Sequence, residues 1–313
     1  MIKKQTAFVF PGQGSQFIGM GKDLYDTFPA AKEVFEAVDQ ALGQNLSQLI
    51  FSGNIDELTQ TQNAQPAIMT VSMALVRVLQ TNHFNLAEQA SVVAGHSLGE
   101  YTALCTTNAL DIQQTAQLLK IRGQAMAEAG HTQPGGMMAV LGLECEAVQE
   151  IAKNSGCYVA NDNGAGQWVL SGSLVALATA KMRAESLGAK RVIPLPVAGA
   201  FHSPLMKSAQ EKMKDILSKT TFHPPVIPVV TNVTAKAEQD HFSELLIQQI
   251  IAPVRWRESV LYMQQQGITT FVECGPGTVL SGLVRRILPD STQIHLSDVA
   301  SLQTFLQDFQ KNT

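Results

Sequence analysis

The sequence predicts an α/β protein built on a sheet with parallel strands. Short apolar runs, "TAFVF" near the start and "SVVAG" further on, alternate with helical patterns over about 20–42 and 65–79. Strands of a parallel sheet are covered on both faces, so they occur as continuous apolar runs of this kind. Two further observations complete the prediction: the pattern changes in the middle of the chain, and a serine lies between two glycines directly after "SVVAG".

The stretch from Gly136 to Val197 departs from the alternating pattern. Strand "MMAVLGL", helix "CEAVQEIAKNSG", strands "CYVANDN" and "QWVLSG", helix "SLVALATAKMRAESLG" and strand "RVIPLPV" follow in order. The order βαββαβ is typical of a ferredoxin-like unit. Alternation resumes afterwards, with strands at "VIPVVTN" and "TTFVECG". We therefore predict a discontinuous large domain, residues 1–129 and 198–313, a small ferredoxin-like domain over 130–197, and a cleft between them.

The composition excludes several classes of protein. The 313 residues are 45% hydrophobic and 15% charged, with a net charge of -4, which argues against disorder and against a strongly basic nucleic-acid binder. No apolar run approaches the roughly 18 residues that span a bilayer, and the first is too short for a signal peptide. The four cysteines are scattered without metal-ligand spacing, as in a reducing compartment. We expect a cytoplasmic protein that binds no nucleic acid, membrane or metal.

The motif "GHSLGE" places Ser97 between Gly95 and Gly99. In an α/β-hydrolase-like domain, GxSxG forms a strand-to-helix turn that exposes a nucleophilic serine, and the backbone N–H of the next residue, here Leu98, points to the developing oxyanion. A tight turn that simply favours small residues would give the same pattern. A catalytic Ser97 would also need a base within hydrogen-bond reach, because serine is a weak nucleophile at its free pKa.

His202 is the strongest of the seven histidines as that base. It lies in "PVAGAFHSPLM", between the strand that returns from the small domain and the start of a helix, and hence at the domain junction. A histidine near a helix N-terminus without a catalytic role is the alternative. His96 adjoins the serine, so its side chain should leave the turn in another direction. The remaining histidines lie in polar or loop-like surroundings: His83, His131, His223, His241 and His295.

The loop "FPGQGSQ" follows the first predicted strand and contains Gln13 between two glycines. Glycines permit close backbone approach, which phosphate-binding loops exploit. The loop lacks GxGxxG and a Walker lysine, so nucleotide binding is disfavoured. Gln13 could instead aim an amide or backbone donor at an oxyanion.

Arg122 shares one helical stripe with Leu118, Leu119 and Met126, since these residues recur at three- and four-residue spacing. A guanidinium on an apolar face needs a partner, and its fork matches a carboxylate through two parallel hydrogen bonds. That carboxylate could belong to an internal acidic residue or to a substrate.

Six motifs, taken in order, resemble a known family. They are "FPGQGSQ", "GHSLGEYTAL", "IRGQAM", "GAFHSPLM", "PVRW" and "VECGPGTVLSGL". They resemble the malonyl-CoA:acyl carrier protein transacylases and the acyltransferase domains of polyketide and fatty acid synthases. The resemblance covers nearly the whole chain. It implies ping-pong transfer of malonyl from coenzyme A to the phosphopantetheine thiol of acyl carrier protein through a malonyl-serine ester, which supplies the extender unit for fatty acid biosynthesis.

The resemblance also implies a role for five residues of these motifs. Ser97 would be the nucleophile and His202 its base. Gln13 and the backbone N–H of Leu98 would form the oxyanion hole. Arg122 would hold the malonyl carboxylate.

Three more positions follow from the resemblance. The histidine would be oriented by a main-chain oxygen, which in "QQIIAPVRW" falls on Gln249, so the side chain of Gln249 is not expected to be diagnostic. Phe201 would leave little room for an α-methyl group, and Met126 would join it in the substrate-binding set. Neither a metal nor a redox cofactor is implied. Malonyl-CoA counts as a substrate of the implied reaction, not as a cofactor.

The implied partner, acyl carrier protein, is acidic, so a local basic surface is expected on this mildly acidic chain. Lys190 with Arg191, and Arg285 with Arg286, are the candidates, and ordinary solvated charges are the alternative. Three other functions are also compatible with the sequence: an acyltransferase of a polyketide pathway, a serine hydrolase of the thioesterase type, and a scaffold that docks carrier protein without catalysing a reaction.

Overall fold

The first strand of the computed structural model, which describes residues 5–311, lies inside a six-stranded sheet. Its strand order is β10-β9-β1-β2-β7-β8, and all neighbours are parallel except β7 and β8. The strands are β1 (Thr6–Phe10), β2 (Val92–Gly95), β3 (Gly135–Leu141), β4 (Tyr158–Asp162), β5 (Gln167–Ser173), β6 (Arg191–Pro194), β7 (Val229–Val230), β8 (Ala237–Glu238), β9 (Thr270–Cys274) and β10 (Thr292–Leu296).

Helices cover both faces of this sheet and one face of a second sheet. They are α1 (Lys22–Thr27), α2 (Pro29–Leu42), α3 (Leu46–Ser52), α4 (Ile55–Thr59), α5 (Thr61–Thr81), α6 (Leu86–Gln89), α7 (Gly99–Thr106), α8 (Ile112–Thr132), α9 (Cys145–Ser155), α10 (Leu174–Ser186), α11 (Lys207–Leu217), α12 (Phe242–Gln249), α13 (Trp256–Gln265), α14 (Val279–Ile287) and α15 (Val299–Lys311). Within residues 5–311, no helix is both long and apolar enough to cross a membrane.

The alternating side chains of β1 join two different apolar cores. Phe8 and Phe10 belong to the core beneath α2, α5 and α8, whereas Ala7 and Val9 belong to the core that contains Trp256 of α13. Successive side chains of a strand point to opposite faces of the sheet. Burial on both faces therefore explains why "TAFVF" is apolar at every position after its threonine.

The second sheet is antiparallel, with the strand order β4-β5-β3-β6. Its elements run β3, α9, β4, β5, α10, β6 along the chain, in the βαββαβ order that the sequence predicts. α9 and α10 cover one face and enclose a separate core, in which Trp168 and Leu170 of β5 pack. The antiparallel unit therefore buries its own apolar side chains.

Strand β4 also ties the antiparallel unit to the rest of the protein. Val254 accepts a backbone hydrogen bond from Asp162 at 3.0 Å and donates one to Ala160 at 2.8 Å. The Asp162 carboxylate accepts from Nε of Arg257, in α13, at 2.8 Å. These contacts fix the position of the segment between α12 and α13 against the edge of the second sheet.

Several elements differ from the sequence predictions. The helix expected over 20–42 is two helices, because Phe28 is extended ahead of Pro29, as the residue before a proline prefers. The main sheet is not wholly parallel, since β8 returns antiparallel to β7. The strand expected in "VIPVVTN" is only Val229–Val230. Strand β10 and helix α15 were not predicted from the sequence.

Candidate active site

Ser97 lies in a sharp turn between the end of β2 and the start of α7. Its φ of 53° is in the left-handed region, which non-glycine residues seldom adopt outside constrained turns. A Cβ at Gly95 would lie 1.9 Å from the carbonyl of Gly99, and one at Gly99 would lie 2.3 Å from the carbonyl oxygen of Phe10. Both positions therefore require glycine, because the helix begins in direct contact with the two adjoining strands.

Asn232, at the carboxyl end of β7, holds this turn in place. Its Oδ1 accepts a hydrogen bond from the N–H of Ser97 at 2.8 Å, and its Nδ2 donates to the carbonyl oxygen of Gly95 at 2.7 Å. Strands β7 and β2 are neighbours in the sheet, so their carboxyl ends meet here. These two hydrogen bonds stabilise the strained backbone of Ser97.

The side chain of Ser97 meets that of His202. Nε2 of His202 lies 2.8 Å from Oγ of Ser97, and Nδ1 lies 2.9 Å from the main-chain oxygen of Gln249 and 3.2 Å from that of Ala252. A carbonyl oxygen only accepts hydrogen bonds, so Nδ1 carries the proton and Nε2 is free to accept one from the serine. Among the residues described, no carboxylate accepts a hydrogen bond from Nδ1 of His202.

Burial keeps His202 neutral. The pKa of its imidazole is lowered to about 3, first by burial and then by the charge of Arg122, against which the carbonyl of Gln249 acts. A neutral imidazole at neutral pH can take a proton from a hydroxyl group. The pair Ser97 and His202 therefore has the geometry of a nucleophile and its base.

Arg122 is almost completely buried and faces the same hydroxyl group. Its Nη2 donates to Oγ of Ser97 at 3.0 Å and to Oε1 of Gln249 at 2.8 Å, and its Nη1 donates to Oε1 of Gln65 at 2.8 Å. Along the described chain, no carboxylate lies within 4 Å of the guanidinium. Of the two partners that the sequence left open, an internal acid in direct contact is thus absent, and neutral oxygens take its place.

The guanidinium has more N–H groups than its observed hydrogen bonds use. Arginine has five N–H groups, and Nε of Arg122 is buried without an acceptor in the described part of the chain. Three hydrogen bonds to neutral oxygens leave the positive charge of Arg122 in place. The site can therefore receive an anionic group beside Oγ of Ser97.

Leu98 and Gln13 lie at the adjoining ends of β2 and β1, whose final residues Gly95 and Phe10 are paired in register. Both residues line the cleft above Ser97. Within residues 5–311, no acceptor is bonded to the N–H of Leu98 or of Gln13. This is the placement expected of oxyanion donors.

The cleft over Ser97 has a volume of about 90 Å³. Pockets for drug-sized ligands measure roughly 300–1,000 Å³, so this cleft suits a short acyl group. Met126 and Phe201 both line it, as the sequence analysis expects of substrate-binding residues. The antiparallel sheet contributes Met137 and Asn161 to the same wall, so the cleft lies between the two sheets.

Several polar residues of the site were not predicted from the sequence. Glu100 and Gln65 are buried, and the side chain of Gln249, which was not expected to be informative, bonds to Arg122, Glu100 and the carbonyl oxygen of Ser97. Gln249 therefore contributes its amide as well as its main-chain oxygen. The signal for Glu100 was present: an acid at the first turn of the apolar helix "GEYTALC".

The other histidines lie apart from this chemistry. His96 does leave the turn in another direction: its Nε2 lies 3.0 Å from Oδ1 of Asn163, and its ring packs against Trp256. The five histidines expected in polar surroundings are all exposed: His83, His131, His223, His241 and His295. The four basic candidates for carrier docking are also exposed: Lys190, Arg191, Arg285 and Arg286.

Comparisons with known proteins show which family the chain resembles. The family described as acyl transferase domain matches residues 7–312. The chain is 42% identical to the malonyl CoA-acyl carrier protein transacylase of Bacillus subtilis (strain 168) over 310 residues, covering 97% of this chain and 96% of that protein.

Solved structures give the same result. The acyl-carrier-protein-S-malonyltransferase of Bartonella henselae superposes with a TM-score of 0.95 at 44% identity, covering 97% of this chain and 99% of the other. A malonyl-transacylase in complex with a type II polyketide acyl carrier protein superposes with a TM-score of 0.93 at 38% identity, with the same coverage. Identity of this level over nearly the full length leaves one conclusion: the chain belongs to the acyl transferase family, among the malonyl CoA-acyl carrier protein transacylases.

Proposed function

We propose that this protein transfers malonyl from malonyl-CoA to the phosphopantetheine thiol of acyl carrier protein, and so supplies the extender unit for fatty acid synthesis. The observation that carries the proposal is the position of one atom. Oγ of Ser97 lies 2.8 Å from the base Nε2 of His202 and 3.0 Å from the cationic Nη2 of Arg122. A nucleophile that touches both a base and a fixed cation suits an acyl group that carries its own carboxylate.

In the first half-reaction, Nε2 of His202 accepts the proton of Ser97 as Oγ attacks the thioester carbonyl. The negative charge that develops on the carbonyl oxygen is stabilised by the N–H groups of Leu98 and Gln13. The tetrahedral intermediate collapses, the C–S bond breaks, and the imidazolium returns the proton to the departing thiolate of coenzyme A. A malonyl ester of Ser97 is left.

In the second half-reaction, the thiol of the carrier's phosphopantetheine arm enters the same cleft. His202 accepts the thiol proton, the thiolate attacks the ester carbonyl, and the proton then passes to Oγ of Ser97 as the ester breaks. The main-chain oxygens of Gln249 and Ala252 hold the imidazole for both steps and favour the tautomer with its proton on Nδ1. The exchange is redox-neutral, and His202 accepts and returns one proton in each half-reaction, so we propose that no cofactor or metal takes part.

Acyl selection falls to Arg122 in this proposal. On loading, the malonyl carboxylate takes donors of the guanidinium, which then also fixes the ester for attack by the thiol. Such a buried charged hydrogen bond is worth about 2 to 5 kcal/mol when one partner is removed. Met126 and Phe201 restrict the space around the acyl chain, which disfavours an α-methyl substituent.

We also propose a domain assignment from the strand orders. The large domain, residues 1–129 and 198–313, is α/β-hydrolase-like in placing a nucleophile turn at the carboxyl end of a parallel strand. Its outermost residues, 1–4 and 312–313, lie outside the described structure. The inserted domain, 130–197, is ferredoxin-like, which its βαββαβ order and the β4-β5-β3-β6 sheet support.

The proposed partner is acyl carrier protein, with coenzyme A thioesters as donors. The complex of a related malonyl-transacylase with its carrier supports this choice. Exposed Lys190, Arg191, Arg285 and Arg286 are the proposed contacts for an acidic carrier. Nucleic acid and membrane have no role in the proposal, and the scattered cysteines support a cytoplasmic location.

The same complex favours a second candidate, transfer to the carrier of a polyketide pathway, since its carrier is of the type II polyketide class. A serine hydrolase is disfavoured by the site itself. In that class an acid orients the histidine, whereas here main-chain oxygens do so. The cation against Oγ of Ser97 also has no general role in ester hydrolysis.

The test is brief exposure of the protein to malonyl-CoA, with and without a carrier protein bearing its phosphopantetheine arm. Intact-mass measurement should show one malonyl adduct, which Ser97→Ala abolishes and which the carrier discharges as malonyl-carrier. Rapid release of free malonate without a carrier would favour the hydrolase. If the protein forms no malonyl adduct, it is instead a scaffold that docks carrier protein. Transfer rates to a panel of fatty acid and polyketide carrier proteins then show which pathway the protein serves.

A further inference from the structure

Glu100 is a fully buried acid one turn behind the nucleophile, and the mechanism above does not use it. Its Oε2 accepts hydrogen bonds from the N–H of Asn232 at 2.8 Å and from Nε2 of Gln249 at 2.9 Å. Its Oε1 is buried and has no hydrogen-bond partner among the residues described. Burying a carboxylate is costly unless a positive charge compensates it, so the nearest cation decides what Glu100 does.

That cation is Arg122, and a single amide separates the two groups. Oε1 of Gln249 accepts from Nη2 of Arg122 at 2.8 Å, while Nε2 of the same amide donates to Glu100. The amide dipole is therefore aligned with its negative end on the cation and its positive end on the anion. We propose that Glu100 is a positioning residue, the counter-charge of Arg122 held one amide away, and that this spacing sets how strongly the site prefers a carboxylated acyl group.

The separation between Glu100 and Arg122 matters because direct contact between them would block the guanidinium. A carboxylate touching Arg122 would occupy the guanidinium fork through two parallel hydrogen bonds and compete with the malonyl group. A guanidinium with no acid nearby would be a buried, uncompensated charge. Gln249 and Gln65 satisfy the N–H groups with neutral oxygens, and Glu100 balances the charge from a distance at which the fork stays available.

The ionisation of Glu100 agrees with this arrangement. Burial raises the pKa of its carboxyl group to about 7, against the hydrogen bonds from Asn232 and Gln249 and the charge of Arg122, which lower it. At pH 8 the group is therefore mostly an anion. The same anion repels an incoming malonyl carboxylate, so it weakens malonyl binding while it balances the charge of Arg122.

This inference rests on the proposed function, and its test compares acyl donors in variants of the whole protein at pH 8. Glu100→Gln keeps an oxygen to accept from Asn232 and Gln249 but removes the charge. We expect KM for malonyl-CoA to fall about three- to tenfold while KM for acetyl-CoA is unchanged, because only malonyl senses the lost repulsion. Gln65→Glu places an acid in contact with Nη1 of Arg122, and there the ratio of KM for malonyl-CoA to KM for acetyl-CoA should rise about tenfold or more.

Glu273→Gln is the matched control. Glu273 is an equally buried carboxylate, but it accepts from the N–H groups of Leu280 and Ser281 at the start of α14, so acyl preference should not change. If Glu100 has only a structural role, Glu100→Gln should raise the KM values for malonyl-CoA and acetyl-CoA together, and that result would overturn the inference. An unchanged preference for malonyl-CoA over acetyl-CoA in either Glu100→Gln or Gln65→Glu would also overturn it. If Glu100→Gln does not fold, the result with Gln65→Glu decides. A wild-type protein that loads neither acyl group would overturn the proposed function and this inference with it.

Discussion

Gln249 contacts His202 through its backbone and Arg122 through its side chain. Its main-chain oxygen lies 2.9 Å from Nδ1 of His202, and its Oε1 lies 2.8 Å from Nη2 of Arg122. One residue at the end of α12 thus orients the imidazole and also holds the guanidinium. Because both partners touch Oγ of Ser97, the placement of Gln249 fixes the surroundings of this hydroxyl group.

Removal of the cation should change which acyl group is transferred. In Arg122→Ala we expect malonyl loading to lose about 2 to 5 kcal/mol of transition-state stabilisation, while acetyl loading is unchanged or raised. The measurement is kcat/KM for malonyl-CoA and acetyl-CoA in parallel. Arg77→Ala, an exposed arginine on α5, should change neither value. Equal losses for both donors in Arg122→Ala would contradict the assignment of the guanidinium to the carboxylate.

The buried base should make the fold sensitive to acid. The pKa of His202 is lowered to about 3 in the folded protein, whereas an exposed histidine titrates near 6.5. Below pH 6.5 the unfolded chain binds a proton that the folded chain does not, so the free energy of unfolding falls as the pH falls toward 3. Arg122 and His96 both lower the pKa of His202, so they reinforce this effect.

Urea unfolding at pH 7.5 and 5.5 measures that effect. Between these two values His202 should account for about 1 kcal/mol of lost stability. The loss should be smaller by this amount in His202→Gln than in the wild-type protein. Identical pH dependence in His202→Gln and wild type would show that the imidazole is not held neutral.

The motifs predicted the residues that meet at the candidate site better than they predicted the polar residues around them. Ser97, His202 and Arg122 could be found because each lies in a short local pattern: a glycine-flanked turn, a domain junction, and an apolar helical stripe. Gln65 has no such pattern, and the acid Glu100 in the apolar helix "GEYTALC" is a weak signal, since an acid or an amide near a helix start is ordinarily solvated. Their role depends on which helices pack together, and that is a tertiary property.

The same distinction holds for the fold. The apolar runs of β1, β2 and β9 were clear because both faces of each strand are buried. Strand β10 was missed because "TQIHL" is mostly polar and half exposed, as befits an edge strand. The break at Phe28 and Pro29 was visible in the sequence, but the surrounding helical periodicity concealed it.

The nucleophile turn should not tolerate a methyl group. In Gly99→Ala the new Cβ would lie 2.3 Å from the carbonyl oxygen of Phe10, so either β1 or the start of α7 must shift. We expect a loss of about 1 to 3 kcal/mol in the free energy of unfolding, with loss of malonyl loading. Gly282→Ala in α14 is the control, because nothing lies near its Cβ position, and it should gain about 0.5 to 1 kcal/mol. Full activity in Gly99→Ala would contradict the geometry of the turn.

The exposed arginines of α14 should affect binding of the carrier protein but not binding of the acyl donor. Acyl carrier proteins are acidic, so reversing a contact charge weakens their encounter and raises their KM. In Arg286→Glu we expect KM for carrier protein to rise while KM for malonyl-CoA stays constant, and the difference should shrink at high salt because exposed charges are screened. Lys32→Glu, on α2 outside the candidate surface, is the matched reversal and should leave both values unchanged. An unaltered KM for carrier in Arg286→Glu would remove this residue from the docking surface.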